Sequence, residues 1–355
     1  MRLAFLTSTP LDFARGSGTY AGISTLARAA ERRGAEIVFF TPGARLPIYT
    51  LERLWFNRRL RPGDFRGFDA VVGFDLDGWR VAGRSGVPHV ASIKGVIADE
   101  MRFERGLARA TMAVQAARER EHVRRAGQVL TTSRYAAARI AELYGPKAAP
   151  RIVRESIDLE TWRALFERQP AAPDASAFTV LCVCRLYPRK RVEVLLEAAA
   201  RLRERIPELG VRIVGRGPEE ARLRRRAAEL ETGRAVRWLG DVSQAELARQ
   251  YQACDVFCLP SVQEGFGIVF LEAMAAAKPI VAARAAAVPE VVTDGLLVEP
   301  GDAAALADAI ARLHADAELR RALGERGRGA VERFDAPRVA AQFLAEVAAF
   351  IAASG

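Results

Sequence analysis

Cysteine, histidine and lysine are all scarce in this chain, and each scarcity excludes something. The four cysteines, Cys182, Cys184, Cys254 and Cys258, lie within or beside apolar runs. Their Cys-x-Cys and Cys-x-x-x-Cys spacings depart from those of zinc ribbons. They read as buried reduced thiols suited to a reducing cytoplasm, not as a metal site or a disulfide framework. The histidines, His89, His122 and His314, show no ligand spacing, and no Ser-His-Asp or Cys-His arrangement can be assembled around them. Among the 53 basic residues only Lys94, Lys147, Lys190 and Lys278 are lysine. The arginines are spread along the chain without a recognised reader motif, which argues against nucleic-acid binding. No apolar run reaches the ~18 residues of a membrane span. Met1 to Thr7 lacks the charged segment and long apolar core of a secretory signal. The expectation is a soluble or membrane-peripheral protein.

What is present is length, apolar content and a regular alternation. With 355 residues, 50% of them hydrophobic, the chain can bury two ordinary cores. A formal charge of +10 attracts anionic substrates and anionic headgroups. Short apolar runs at Arg2–Thr7, Ile37–Thr41, Ala70–Phe74, Val87–Ile93, Val129–Ser133 and Ile152–Arg154 alternate with helical patterns, the first running to Arg33 and ending at Gly34. The polar, aperiodic segment from Glu167 to Ala177, with Pro170 and Pro173, reads as a linker. Beyond it the alternation restarts, with strands at Thr179–Cys184, Val211–Val214, Val236–Leu239, Val256–Leu259, Ile280–Ala282 and Leu296–Val298. Such alternation predicts two tandem Rossmann-like α/β domains, 1–170 and 171–336, each a parallel sheet covered on both faces. The amphipathic stretch over 337–355 is expected to cross back onto the first domain.

Candidate chemistry gathers where strands of the second domain end, which is where open α/β sheets bind ligands. Pro260-Ser-Val-Gln-Glu-Gly-Phe-Gly-Ile-Val-Phe-Leu-Glu272 places Glu264 in a glycine-punctuated loop and Glu272 on the helix-forming run behind it. If the helix begins near Gly265, the two carboxylates stand about 12 Å apart along its axis, a span that suits a sugar nucleotide. The helix N-terminus between them would face a diphosphate. Arg185-Leu-Tyr-Pro-Arg-Lys190-Arg191 follows the first strand of this domain, where Arg185 and Lys190 can clamp a diphosphate. Gly215-Arg-Gly217-Pro218 offers a tight turn that a nucleobase can approach closely, and Gly16-Ser17-Gly18 does the same in the first domain. Val242, beyond the third strand, joins this donor-binding set. None of these turns is a dinucleotide fingerprint, which sets a nicotinamide-dependent dehydrogenase aside.

Two further motifs have competing readings. Asp75-Leu-Asp77 resembles a metal-holding Asp-x-Asp, yet it reads better as a turn and helix-cap feature. The stretch Leu51–Arg61 sets Leu54, Trp55 and Phe56 among arginines, either as a helix packing its aromatic side inward or as an interfacial hook or acceptor lip.

Together these stretches resemble the family 4 retaining glycosyltransferases of the group 1 type, which have the GT-B fold of two facing Rossmann-like domains with an interdomain cleft. The resemblance is dense from Val180 to Asp302: Arg185-Leu with Lys190, Ile213-Val-Gly-Arg-Gly-Pro218, Leu239-Gly240, the Glu264–Glu272 motif, Pro289-Glu-Val-Val292 with Asp294-Gly295, and Pro300-Gly301-Asp302. It implies that Glu264 contacts the donor sugar, Glu272 the ribose, and Arg185 and Lys190 the diphosphate. It also implies backbone contacts from Gly265, Phe266, Gly267 and Ile268, no bound metal, no cofactor beyond the nucleotide-sugar substrate, and no protein nucleophile. Three departures stand out. Lys94, in Ser92-Ile-Lys94-Gly95, replaces a frequent His and is the remaining catalytic candidate. Glu155-Ser156-Ile157-Asp158 replaces Asn-Gly-Ile-Asp, and Ala286-Ala287 replaces Gly-Gly.

The expected function is transfer of a sugar from a nucleotide diphosphate to a hydroxyl acceptor, glycan, lipid-linked or small, at a cytoplasmic location with peripheral membrane contact. The alternatives are a degenerate sugar-nucleotide or glycan-binding relative and a sugar-nucleotide epimerase.

Overall fold

The computed structural model describes residues 1–9, 18–43, 48–168, 170–171, 176–233 and 235–354. It divides into two compact units, Met1–Ser156 with Ala336–Gly355 and Ile157–Asp335.

Unit 1 carries one parallel sheet of β1 (Arg2–Leu6), β2 (Glu36–Phe40), β3 (Ala70–Phe74), β4 (His89–Ile93), β5 (Gln128–Thr131) and β6 (Arg151–Ile152), in the order β2-β1-β3-β4-β5-β6. β3 and β4 are buried along their whole length, as strands covered on both faces must be. The pleat divides β1 between two cores. Leu3 and Phe5 pack with Ile23 and Leu26 of the helix Gly18–Glu31, while Ala4 and Leu6 pack with Phe56, Phe65 and Val81 on the other face.

The helix Ala336–Ser354 completes the first of these cores through Val339, Ala340, Phe343 and Val347, with Phe343 edge-on to Phe5 at 5.9 Å between ring centroids. By length and composition alone this helix would pass as a membrane span. Its apolar stripe is instead packed on the sheet of unit 1.

Unit 2 repeats the plan with β7 (Phe178–Val183), β8 (Leu209–Val214), β9 (Val236–Gly240), β10 (Val256–Leu259), β11 (Ile280–Ala283) and β12 (Leu296–Val298), parallel throughout and ordered β12-β11-β10-β7-β8-β9. Helix starts follow local chemistry. Ser243, Asp302 and Asp316 each accept a hydrogen bond from a backbone amide three residues on, satisfying one of the free donors of a helix N-terminus.

The division between units falls at 156/157, ahead of the 170 expected. Leu159–Arg168 is a helix that belongs to unit 2, with Trp162 buried 5.8 Å from the Tyr251 ring. Because Ile157 donates its amide to the Phe334 carbonyl at 3.0 Å, the chain enters and leaves unit 2 at neighbouring points. The last helix therefore begins at Ala336 and returns to unit 1. The expected linker retains only its later part, of which residues 169 and 172–175 lie outside the described residues.

Candidate functional site

In a doubly wound sheet the loops leaving two neighbouring strands part to opposite faces at the switch point, leaving a crevice outside their carboxyl ends. In unit 2 that point lies between β7 and β10. The turn Pro188–Lys190 follows β7, and the loop 260–267 follows β10. The Val262 amide donates to the Arg189 carbonyl at 3.0 Å and ties the two loops together. Across them Lys190 Nζ reaches Glu264 Oε1 at 2.6 Å, with side chains 13% and 9% exposed. Two of the predicted residues thus form one charge-assisted contact at the switch point.

The helix behind the loop starts at Ile268, three residues later than expected, with Gly267 before it in the left-handed region at φ 92°. A Cβ on Gly267 would also stand 2.6 Å from the Phe270 ring, so glycine is required there on both counts. The axial estimate of about 12 Å between the carboxylates therefore does not apply. Glu264 is in the loop and only Glu272 is helical. Glu272 accepts a 2.7 Å hydrogen bond from the Tyr251 hydroxyl. Burial pushes its carboxyl up to about 7, against the opposing effect of that bond. Phe266 is buried edge-on to Phe334 at 5.5 Å, so only its backbone is available to a ligand. Ile268 opens the helix, and Gly265 lies in the loop beside Glu264.

Arg185 is the exposed member of the set, 3.9 Å from Asp241. Val242, next to Asp241, is partly buried against the unit 2 core. At Gly215 and Gly217 the side on which a Cβ would stand is filled by the protein itself. A Cβ on Gly215 would meet the Cys184 carbonyl oxygen at 2.1 Å, and one on Gly217 would meet Leu186 backbone at 2.5 Å. Those faces are taken up by the Arg185 loop, which is fastened there by the Leu186 amide on the Arg216 carbonyl and the Glu219 amide on the Leu186 carbonyl, both 3.0 Å. Pro218 continues that turn. The glycines thus position Arg185.

In unit 1, Gly16 and Ser17 lie outside the described residues, and Gly18 is the exposed first residue of its helix. Lys94 is not a free cation. Its Nζ lies 3.2 Å from both carboxylate oxygens of Glu155, and each side chain is 6% exposed. Asp77 is not a helix cap. It is fully buried and accepts from Ser8 N and Oγ at 2.7 Å, from Asn57 Nδ2 at 2.9 Å and from Arg53 Nη2 at 3.4 Å. Asp75 follows β3 with a left-handed φ of 54°. Among the described residues no group of three or more His, Cys, Asp or Glu side chains is arranged to hold a metal ion.

The aromatic stretch resolves into an inward helix, Tyr49–Arg59. Phe56 and Arg53 are buried, and Arg59 covers Trp55 at 4.7 Å. The exposed apolar residues at its start are Ile48, Tyr49 and Leu51 instead.

The sequence does not point to Tyr251 or Asp241, and it marks Glu155 only as a departure from a motif, with no partner. Each is an ordinary residue on a helix or strand end, given its role by a partner 21, 56 or 61 positions away. Only the polar character of Tyr251 within an otherwise apolar helix face hinted at a buried partner.

Two doubly wound parallel units, with a cation and a carboxylate joined at the switch point of the second, define a two-domain α/β protein of GT-B fold. The family model described as glycosyl transferases group 1 matches residues 165–330, all within unit 2, and the chain resembles the group 1 glycosyltransferases of the family 4 type. It is 33% identical over 216 residues to a GDP-mannose-dependent alpha-(1-6)-phosphatidylinositol monomannoside mannosyltransferase of Mycolicibacterium smegmatis, a stretch covering 56% of each protein. It is 41% identical over 160 residues to a D-inositol 3-phosphate glycosyltransferase of Corynebacterium urealyticum, covering 42% of this chain and 38% of that protein. The matched stretches thus span about half or less of these relatives. Over the whole chain the fold is similar to that of sucrose-phosphate synthase from Thermosynechococcus elongatus, with a TM-score of 0.83, 23% identity, and 99% and 100% of the two chains covered.

Proposed function

We propose that the protein is a glycosyltransferase that moves a sugar from a nucleotide-diphosphate donor to a hydroxyl acceptor. The observation that carries this reading is the Lys190–Glu264 pair at the β7/β10 switch point, with Glu272 behind it on the helix that starts at Ile268. A diphosphate at the N-terminus of that helix meets free backbone amides, the positive end of the dipole, and the Lys190 and Arg185 side chains. These groups stabilise the charge that grows on the phosphate as the bond to the sugar's anomeric carbon breaks. Glu264 accepts from sugar hydroxyls and Glu272 from ribose hydroxyls. A hydroxyl oxygen of the acceptor forms the new bond, and its proton passes to the departing phosphate. This scheme uses no protein nucleophile and no metal, and it retains the anomeric configuration.

The relatives named above use a GDP-sugar and inositol-containing molecules, which makes GDP- and UDP-hexoses the first donors to try. The exposed Ile48, Tyr49 and Leu51 at the start of a helix that ends in Arg58 and Arg59, with the net charge of +10, support a cytoplasmic protein that touches anionic membrane to reach a lipid-linked acceptor.

The test is a thermal-shift screen across UDP, GDP, ADP and their sugars. A ligand at a hundred times its dissociation constant stabilises by about 2.7 kcal/mol. Absence of a shift with every nucleotide, together with no hydrolysis of any donor, would refute the reading. Transfer that persists in EDTA and yields a product of unchanged anomeric configuration supports the mechanism. Failure to float with phosphatidylglycerol vesicles at low salt removes the membrane contact.

A further inference from the structure

In unit 1 the switch point lies between β1 and β3, because β2 flanks β1 on one side while β3 to β6 extend on the other. The rule that places Lys190 and Glu264 in unit 2 therefore marks the carboxyl ends of β1 and β3 as the ligand-binding edge of unit 1. The residue that ends β3 there is Asp75.

Asp75 is held unusually firmly for a loop residue. Its amide donates to the Ser92 carbonyl at 3.0 Å, its carbonyl accepts from His122 Nδ1 at 2.5 Å, and its Oδ1 accepts from the Lys94 amide at 2.8 Å. These bonds keep a non-glycine residue at φ 54°, a conformation costing on the order of 1 kcal/mol or more.

The other oxygen differs. Asp75 Oδ2 has Arg53 Nη2 at 3.9 Å, outside hydrogen-bond distance, and accepts no hydrogen bond among the described residues. Asp77, two residues on, has both oxygens engaged and is fully buried. Of the two carboxylates in this motif, one is saturated by the protein and the other keeps an open acceptor at the switch point.

We infer that Asp75 is a hydroxyl-binding residue of unit 1, its Oδ2 accepting a hydrogen bond from a neutral polyol such as a sugar or cyclitol. This deepens the glycosyltransferase reading and rests on it, the polyol being the acceptor. The surroundings select against an anion. The Arg53 guanidinium is already shared between Asp77 and Asp75, Glu100 adds further negative charge, and the Lys94 ammonium is neutralised by Glu155. A hydroxyl donates to a carboxylate without charge repulsion, which a phosphate or carboxylate ligand cannot do. Burial pushes the Asp75 carboxyl up to about 6, opposed by Arg53 and the Lys94 amide, so the accepting form predominates at neutral pH.

The experiment uses the full chain with GDP as nucleotide and with myo-inositol and methyl α-mannoside as polyol probes, read by saturation-transfer NMR. Asp75→Asn is the informative variant, since asparagine tolerates left-handed backbone. With the Lys94 amide still requiring an oxygen at Oδ1, the side-chain NH2 takes the place of Oδ2 and turns an acceptor into a donor. The polyol dissociation constant should rise at least tenfold, while GDP affinity changes by less than twofold. Equal polyol binding by wild type and variant overturns the inference, as does absence of polyol signal from the wild type. Absence of binding of GDP, UDP and ADP alike to the wild type instead identifies failure of the glycosyltransferase reading. Should the variant not fold, carbodiimide labelling of wild-type Asp75, mapped by peptide mass, takes its place. Protection by myo-inositol supports the inference, and unchanged labelling overturns it.

Discussion

Lys94 and Glu155 stand 61 positions apart in the chain and form a buried ion pair, the ammonium 3.2 Å from both carboxylate oxygens. These are two of the positions at which the chain departs from the motif pattern it resembles, His to Lys and Asn to Glu. The departures are therefore one change, because either charge alone would be buried unpaired. Removing one partner is expected to cost about 3–5 kcal/mol, and removing both about the same or less. Denaturant unfolding of Lys94→Met, Glu155→Gln and the double variant measures this. A coupling energy near zero would show that the two side chains act independently.

Lys190 and Glu264 make the corresponding contact in unit 2, at 2.6 Å. If the pair serves one ligand, as proposed, Lys190→Ala and Glu264→Ala should each lower kcat for sugar transfer on the order of a hundredfold, or about 2.7 kcal/mol in barrier. Groups acting as a unit are non-additive, so the double variant should lose little more than either single one. Steady-state kinetics with the donor found in the nucleotide screen decides this.

Ala286 occupies a left-handed conformation, φ 50°, where the motif pattern that the chain resembles has glycine. The conformation costs an alanine about 1–2 kcal/mol, and glycine gives back roughly 0.5–1 kcal/mol through the freedom of its unfolded chain. Ala286→Gly should thus stabilise by about 0.5–1 kcal/mol and raise the melting temperature by roughly 2 °C. A melting temperature that falls would show that the Cβ makes contacts outweighing the strain.

His89 and His122 meet in the core of unit 1 at 2.8 Å between Nε2 atoms. His122 Nδ1 lies on the Asp75 carbonyl and must donate, so its Nε2 accepts from His89 Nε2–H and both rings are neutral. Burial lowers both, His122 to about 4. The unfolded chain takes up the proton first, near 6.5. The stability held by neutral His122 is therefore complete above pH 6.5 and lost as pH falls towards 4, by about 3 kcal/mol in all. Asp75, Glu119 and Glu272, whose carboxyls burial pushes up, contribute with the opposite sign. The His term is therefore the difference between wild type and His122→Asn in urea melts from pH 7 to 4. A difference that does not vary with pH would exclude it.

Much of the fold was legible beforehand, for a local reason. Stretches such as Val180–Cys184 and Ala70–Phe74 are without a polar side chain, as strands buried on both faces require. Ser and Asp caps mark helix starts within three residues. Their alternation yields parallel sheets, and parallel sheets put their loops at carboxyl ends, so Lys190 and Glu264 could be assigned to a site before any contact was seen. The helix Leu159–Arg168 was taken into the first domain because its own pattern does not say which core buries Trp162. The helix that carries Glu272 starts later than its pattern predicts because Gly265 and Gly267 are equally good breakers, and only the packing of Phe270 shows which one is left-handed.

Amino-acid order by itself determined the elements, their alternation and the strand ends that carry the acidic and basic residues, since each depends on neighbours a few positions away. The tertiary structure alone decided which charges meet. Lys94 finds Glu155 because the chain beyond β6 folds back past β5 to the end of β4. Gly215 and Gly217 face the Arg185 loop because β7 and β8 lie side by side. Among the described residues Asp75 Oδ2 accepts no hydrogen bond, because Ser8 and Asn57, brought in from the end of β1 and the helix Tyr49–Arg59, satisfy Asp77 instead. Contacts of that kind follow from strand order, which no local stretch of sequence encodes.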